Sequence, residues 1–162
     1  MQVNLNRFSW FQVPEDIKEL LILAIQNWEN TGESQKYMQQ ALAKTEDNTD
    51  VLVAAYRYFY YKNNYALALL TVEKLIAKIG ETEKLPDNWQ QLQPILLQRQ
   101  EEPQIRLFLS AYAASGLVLA KLGEIERAKE ISAKIKDINT KDKFGADILL
   151  NILTGSSAEE ST

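Results

Sequence analysis

Between Ala55 and Tyr65 the sequence reads AYRYFYYKNNY: six aromatic residues, one arginine and one lysine in eleven positions. Tyrosines beside an arginine are well suited to recognising proteins and peptides. Rigid amphipathic rings and a planar cation bind with little loss of conformational freedom. The other candidates for chemistry are the carboxylates Glu81, Glu83, Glu101 and Glu102, as acid/base pairs or as ligands for a hard metal ion. They lie in a polar, loop-like stretch with nothing to desolvate them, so solvated side chains are expected and no metal site is assigned. The chain has no histidine and no cysteine. It therefore lacks the commonest general base, any thiol nucleophile and any thiolate metal site. With no phosphate-cradling glycine loop either, neither an enzyme nor a cofactor is expected.

The elements that must position the tyrosines follow from the rest of the chain. At 162 residues, with 46% hydrophobic and 25% charged residues, one globular domain with a sizeable core is expected. A net charge of −4 offers no basic face for nucleic acid. The opening MQVNLNRFSW lacks the apolar run of a signal peptide, and the longest apolar run, Leu20 to Ile25, is far shorter than a membrane span. A cytoplasmic protein without a membrane segment is the expectation.

Helical periodicity dominates, and no segment alternates as a strand, so the fold class is all-α. Pro14, Glu15 and Asp16 open a first helix that carries Ile17, Leu20, Leu21, Ala24, Ile25 and Trp28 and breaks near Gly32. Further helices are expected over about 33–45, 49–62 and 65–79, the last ending at Gly80. Residues 81–102 are interrupted by Pro86 and Pro94; they hold a short helix or two, and Pro94 argues against one clean helix. Helices resume from Pro103 to Leu122 and from about 124 to 138, with a last one over about 142–154. Residues 1–13 form an arm, in which Trp10 and Phe11 either pack on the first hairpin or make a homodimer contact. Residues 155–162 form a small polar tail expected to be disordered.

The helices repeat. In the run YAASGLVL…GEIERAKEIS…T, Tyr112, Ser115–Gly116, Leu119, Ala128, Ser132 and Thr140 follow a fixed spacing. Leu52, Ala55–Tyr56, Phe59, Ala68, Val72 and Gly80 follow the same one, and so do Leu21, Ala24–Ile25, Trp28, Tyr37 and Ala41. This pattern resembles the tetratricopeptide repeat (TPR), a helical hairpin of about 34 residues with the signature W-x₂-L-G-x₂-Y…A-x₃-F…P. No copy keeps the final proline. From Leu21 to Leu52 is 31 residues, one helical turn short; from Leu52 to Tyr112 is 60, one period plus a 26-residue insertion. The resemblance implies a short right-handed α-solenoid of about three helical hairpins plus a C-terminal capping helix, over residues 14–154, with the insertion at about 81–102.

The aromatic stretch can now be divided. By spacing, Tyr56 and Phe59 face Ala68 and Val72 as core, and Tyr58 packs on a neighbouring hairpin. Arg57, Tyr60 and Tyr61 stand at i, i+3 and i+4 as one patch on the opposite face. The resemblance implies that this patch lines a concave groove, joined by Arg106 and Lys121 from the next inner helix. Two readings of the patch stay open: a groove that binds a protein or peptide partner, or a face covered by the insertion through Trp89 and Leu92. The groove lacks the Lys and Asn cluster of TPR domains that grip acidic chaperone tails, since Val53 and Ala113 stand where polar groups would be needed. Lysines 129, 134, 136, 141 and 143, interleaved with acids, read as a solvated helix face.

Three segments carry a narrower resemblance: YRYFYYKNNYALAL, LPDNWQ and DKFGADILLNIL. They look like segments of the small TPR proteins encoded within bacterial nitrogen-fixation gene clusters. That resemblance implies an accessory or assembly role around nitrogenase. The function expected is thus a protein-interaction adaptor or assembly factor, and the alternative is a homo-oligomeric structural protein that uses its apolar surface for self-association.

Overall fold

The computed structural model describes residues 13–45 and 48–138, which form seven α-helices and no strand. These are α1 (Glu15–Gln26), α2 (Thr31–Lys44), α3 (Thr49–Tyr61), α4 (Tyr65–Thr82), α5 (Trp89–Arg99), α6 (Pro103–Lys121) and α7 (Ile125–Ile138). The arm before Val13, the helix expected over 142–154 and the tail over 155–162 lie outside the described residues. The chain divides into two compact units, one running to Lys74 and the other beginning at Leu75, so the boundary falls within α4.

Asparagines start four of the helices. The side-chain oxygens of Asn30, Asn48 and Asn88 accept backbone N–H groups in the first turns of α2, α3 and α5. Asn64 does the same for α4, accepting from Leu67 at 3.2 Å. Each satisfies a donor that the helix cannot, which is worth about 1 kcal/mol per cap. Because Asn30 caps α2, the break between α1 and α2 falls at residues 27–30, and Gly32 lies inside the first turn of α2 rather than at the break.

Three helices end alike. After α3, Asn63 adopts a left-handed φ of 63°, and Asn64 N–H returns to Phe59 O at 2.8 Å. After α6, Gly123 has φ 88°, and Glu124 N–H returns to Leu119 O at 2.9 Å. After α4, Lys84 has φ 56°, and Leu85 N–H returns to Gly80 O at 2.8 Å. This six-residue closure satisfies the last carbonyls of a helix and needs one left-handed residue. Gly80, expected to end α4, is interior to it: Lys84 takes the left-handed place and the helix runs on to Thr82. Pro94 is likewise interior, within the single helix α5. Its lost N–H removes one early bond, offset by the Asn88 cap and the burial of Leu92 and Leu96.

In the first unit α1 packs along α2, and α2 contacts α3. Leu21, Ala24, Met38, Ala41, Leu52, Ala55 and Phe59 are buried there. A polar chain runs through this core: Tyr58 Oη donates to Ser34 Oγ at 2.8 Å, and Ser34 Oγ donates to the Ala24 carbonyl at 2.5 Å. One tyrosine of α3 is thereby bonded to α2 and, through Ser34, to α1. Trp28 lies edge-on to Tyr58, with centroids 5.5 Å apart. Lys62 then closes over Trp28, its Nζ 4.5 Å from the ring centroid and donating to the Trp28 carbonyl.

In the second unit α6 packs along α7, and α5 contacts α7 around Leu96, Ile105, Leu109, Leu119 and Ile135. Arg99 at the end of α5 pairs with both Glu83, just past α4, and Glu102, which precedes α6 at 2.7 Å. These two carboxylates are therefore ion-paired rather than simply solvated. The Arg99 guanidinium holds the Glu102 carboxyl below the usual carboxylate range.

The turns and the polar chain each have measurable consequences. Gly123→Ala meets open space, so it should lose only the left-handed backbone term, about 1 kcal/mol, or some 2–4 °C in melting temperature. Gly80→Ala, also in open space but interior to α4, should gain about 0.5–1 kcal/mol, measured by denaturant titration. For the chain, Tyr58→Phe should cost about 1–2 kcal/mol, and Ser34→Ala should be non-additive with it in a double-mutant cycle. Burial pushes the Tyr58 hydroxyl above its ordinary value of about 10, so the folded state holds this proton more tightly than the unfolded chain. The stability it contributes should be fully present below about pH 10 and lost above it, with a smaller alkaline loss in Tyr58→Phe.

Candidate protein-binding surface

The rotation of α3 decides which side chains are left for function. At about 100° per residue, its seven buried side chains cover roughly 200° of the circumference. Tyr56 and Phe59 are among them, as their spacing requires, and so is Tyr58. The remaining arc holds Thr49, Asp50, Val53, Arg57, Tyr60 and Tyr61. Asp50 lies at its N-terminal end, where burial pushes the carboxyl upward.

Arg57 is exposed and makes no hydrogen bond or ion pair among the described residues. Tyr61 is 62% exposed, an unusual fraction for so large a ring. Tyr60 is half-buried, with Tyr61 and Tyr65 edge-on to it at centroid distances of 5.7 and 5.6 Å. Burial, with the neighbouring Tyr65 and Tyr61 hydroxyls, raises the Tyr60 pKa. Tyr65 is held in turn by donating to Asn63 Oδ1 at 2.9 Å. The surface is thus three mutually oriented tyrosine rings on the α3–α4 turn, with Arg57 one turn away along α3.

Tyr65 was not part of the patch read from periodicity. It belongs to the next helix, and only the left-handed Asn63 brings it back beside Tyr60. The Asn63–Asn64 pair is the signal that points to such a turn.

Arg106 and Lys121 are exposed on α6, in the second unit. They stand fifteen residues apart on one helix, about 22 Å along its axis, so they do not form a cluster with each other. By the 60-residue repeat, Lys121 holds the place of Tyr61 and Leu117 that of Arg57, so the aromatic surface has no counterpart on α6.

Trp89, the cover of the α3 tyrosines in one of the two readings of the patch, lies against Tyr112 with centroids 6.3 Å apart and planes 16° from parallel. Tyr112 in turn stacks on Phe108 at 6.1 Å, and Lys134 Nζ lies 5.5 Å from the Trp89 centroid. This ladder ties α5, α6 and α7 together. Burial, and then the charge of Glu130, raises the Tyr112 hydroxyl pKa.

A second feature is a shallow cleft of about 400 Å³ on the first unit, floored by Leu20, Leu23 and Ala43. It is rimmed by Asp16 and Lys44, paired at 3.3 Å, with Glu19 and Gln40. The hydrogen bond from Lys44 holds the Asp16 carboxyl below its ordinary range. Among the described residues no three metal-ligating side chains cluster, and no helix is long and apolar enough to cross a membrane.

Comparison with known proteins gives one informative relative. The chain is 32% identical over 130 residues to a protein of Azotobacter chroococcum mcd 1 described as an uncharacterized 19.8 kDa protein in the nifW 5′ region. The match spans 79% of this chain and 73% of that protein. No family model matches, and no solved structure does. At that identity and coverage, the chain belongs to the family of the 19.8 kDa protein of the nifW 5′ region.

Proposed function

We propose that this protein is a non-enzymatic interaction adaptor or assembly factor, acting in the cytoplasm in connection with nitrogen fixation. It engages a partner protein through the outer face of α3 and the α3–α4 turn. The observation that carries this reading is Arg57, which makes no ion pair among the described residues, one helical turn from Tyr61, whose ring is 62% exposed beside Tyr60 and Tyr65. An open cation and rigid exposed aromatics have the composition of binding hot spots.

The link to nitrogen fixation rests on the relative in the nifW 5′ region. The TPR-like hairpin build is supported by the closures at Asn63 and Gly123, 60 residues apart, each followed five residues on by a fully buried alanine, Ala68 and Ala128. A second reading, homo-oligomerisation, is favoured by the exposed Leu122 and Ile125 at the α6–α7 turn and Leu70 on α4.

The test is affinity capture from cells of the source grown with and without fixed nitrogen, read by mass spectrometry. Arg57→Glu with Tyr61→Ala is the variant of choice, because both side chains are exposed and Tyr60 is not. The variant should keep its helicity and melt within a few degrees of wild type, while losing a partner that the wild type holds under nitrogen-fixing growth. Equal capture by both proteins would remove the adaptor reading. Self-association that grows with concentration in sedimentation would put the oligomer in its place.

A further inference from the structure

We infer that the segment from Glu83 to Glu102 is a strap that opens as a unit of its own, lifting α5 away while α6 and α7 stay folded, and that Arg99 is its latch. The device lies wholly within the second unit and is independent of the α3 surface.

The first ground is that α5 has little to hold it as a helix. It is 11 residues long, and isolated helices shorter than about 12–15 residues are marginal in water. Pro94 supplies no N–H to the Gln90 carbonyl, so the ladder lacks a bond in its middle. Only Leu92 and Leu96 of α5 are buried, and Leu97 beside them is 37% exposed. The neighbouring α6 buries nine residues between Ile105 and Leu119 and packs along α7. Thus α5 keeps its helix by docking, whereas α6 and α7 hold each other. Lifting α5 therefore also melts it, and leaves the pair beneath intact.

The second ground is how the strap is fastened. Glu83 stands just past α4 and Glu102 just before α6, nineteen positions apart, so a carboxylate marks each end of the excursion. Arg99 joins both. Its Nε and Nη2 donate to Glu102 Oε1 at 3.0 and 2.7 Å, and Nη2 also donates to Glu83 Oε1. One planar guanidinium thereby ties the two ends of the strap to the end of α5. At the other end of α5, Trp89 stacks on Tyr112, with Lys134 Nζ 5.5 Å from its ring centroid.

Two fastenings with sparse burial between them mark a segment that opens below the cost of unfolding the unit. The three latch side chains are 20–50% exposed, so dissolved salt screens them. Opening withdraws Trp89 from the face of Tyr112 and takes Leu92 and Leu96 out of the interior. The opened state therefore presents on α6 and α7 an aromatic and apolar surface that the closed state covers.

The experiment is native-state hydrogen exchange of the full-length protein, resolved residue by residue by NMR. In the wild type the α5 amides should exchange faster than those of Leu109 and Leu119, which report on the α6–α7 pair. Arg99→Gln removes the charge and keeps a polar side chain; it should speed α5 at least about threefold and leave Leu109 and Leu119 unchanged. Adding about 0.5 M salt should speed α5 in the wild type and not in Arg99→Gln. Pro94→Ala restores the missing N–H and should slow α5 about tenfold.

Exchange of α5 in step with Leu109 and Leu119 would show that no separate opening exists and would overturn the inference. An Arg99→Gln variant that speeds both sets alike, or neither, removes Arg99 as the latch. If Pro94→Ala leaves α5 as fast as the wild type, helix melting is not part of the opening and the device as described fails.

Discussion

The hydrogen bond from Tyr58 to Ser34 in the interior of the first unit is the constraint on which the candidate surface depends. A helix as aromatic as α3 has several rotations that would bury rings against a neighbour, and hydrophobicity alone discriminates poorly among them. A hydroxyl in the core is less tolerant, since leaving it unpaired costs more than a well-made hydrogen bond contributes. Ser34 can accept from Tyr58 because its own proton goes to the Ala24 carbonyl. The chain therefore registers α3 against α2 directly, and against α1 through Ser34. Once Tyr58 is fixed, Arg57, Tyr60 and Tyr61 occupy the arc that remains.

The turn after α3 then determines what that arc becomes. Asn63 and Gly123 perform the same backbone closure with different residues, one tolerating a left-handed φ and one unrestricted by a Cβ. The side chains around the two turns differ in kind. Around Asn63 stand Tyr60, Tyr61 and Tyr65; at the corresponding places around Gly123 stand Ala120, Lys121 and Ile125. A shared backbone device thus carries an aromatic surface in one unit and an aliphatic, charged one in the other.

Much of this was legible in the residues. The burial of Tyr56 and Phe59, the packing of Tyr58 away from its own hairpin and the exposure of Arg57 and Tyr61 all follow from 3.6-residue periodicity, whereas Tyr60, read together with them, is half-buried. The stop at Gly123 follows from glycine's freedom at positive φ. Periodicity gave no access to features that depend on competition between local signals. Gly32 and Gly80 looked like breaks, but Asn30 capped a helix before the first, and Lys84 supplied the left-handed residue after the second. Pro94 sits within α5 because a single early hydrogen bond is a modest loss against a capped first turn and two buried leucines. Tyr65 was missed because joining it to Tyr60 requires the geometry of the turn, and Glu83 and Glu102 because Arg99 reaches both only once α5 is folded.

Nitration of the folded protein by tetranitromethane, with each tyrosine located by mass spectrometry over time, tests the central claim most directly. If Tyr58 fixes the rotation of α3, Tyr61 reacts first, while Tyr56 and Tyr58 stay protected until denaturant unfolds the chain. Protection of Tyr61, or reaction of Tyr58 at a comparable rate in the native state, would show that α3 presents a different face and would contradict the account.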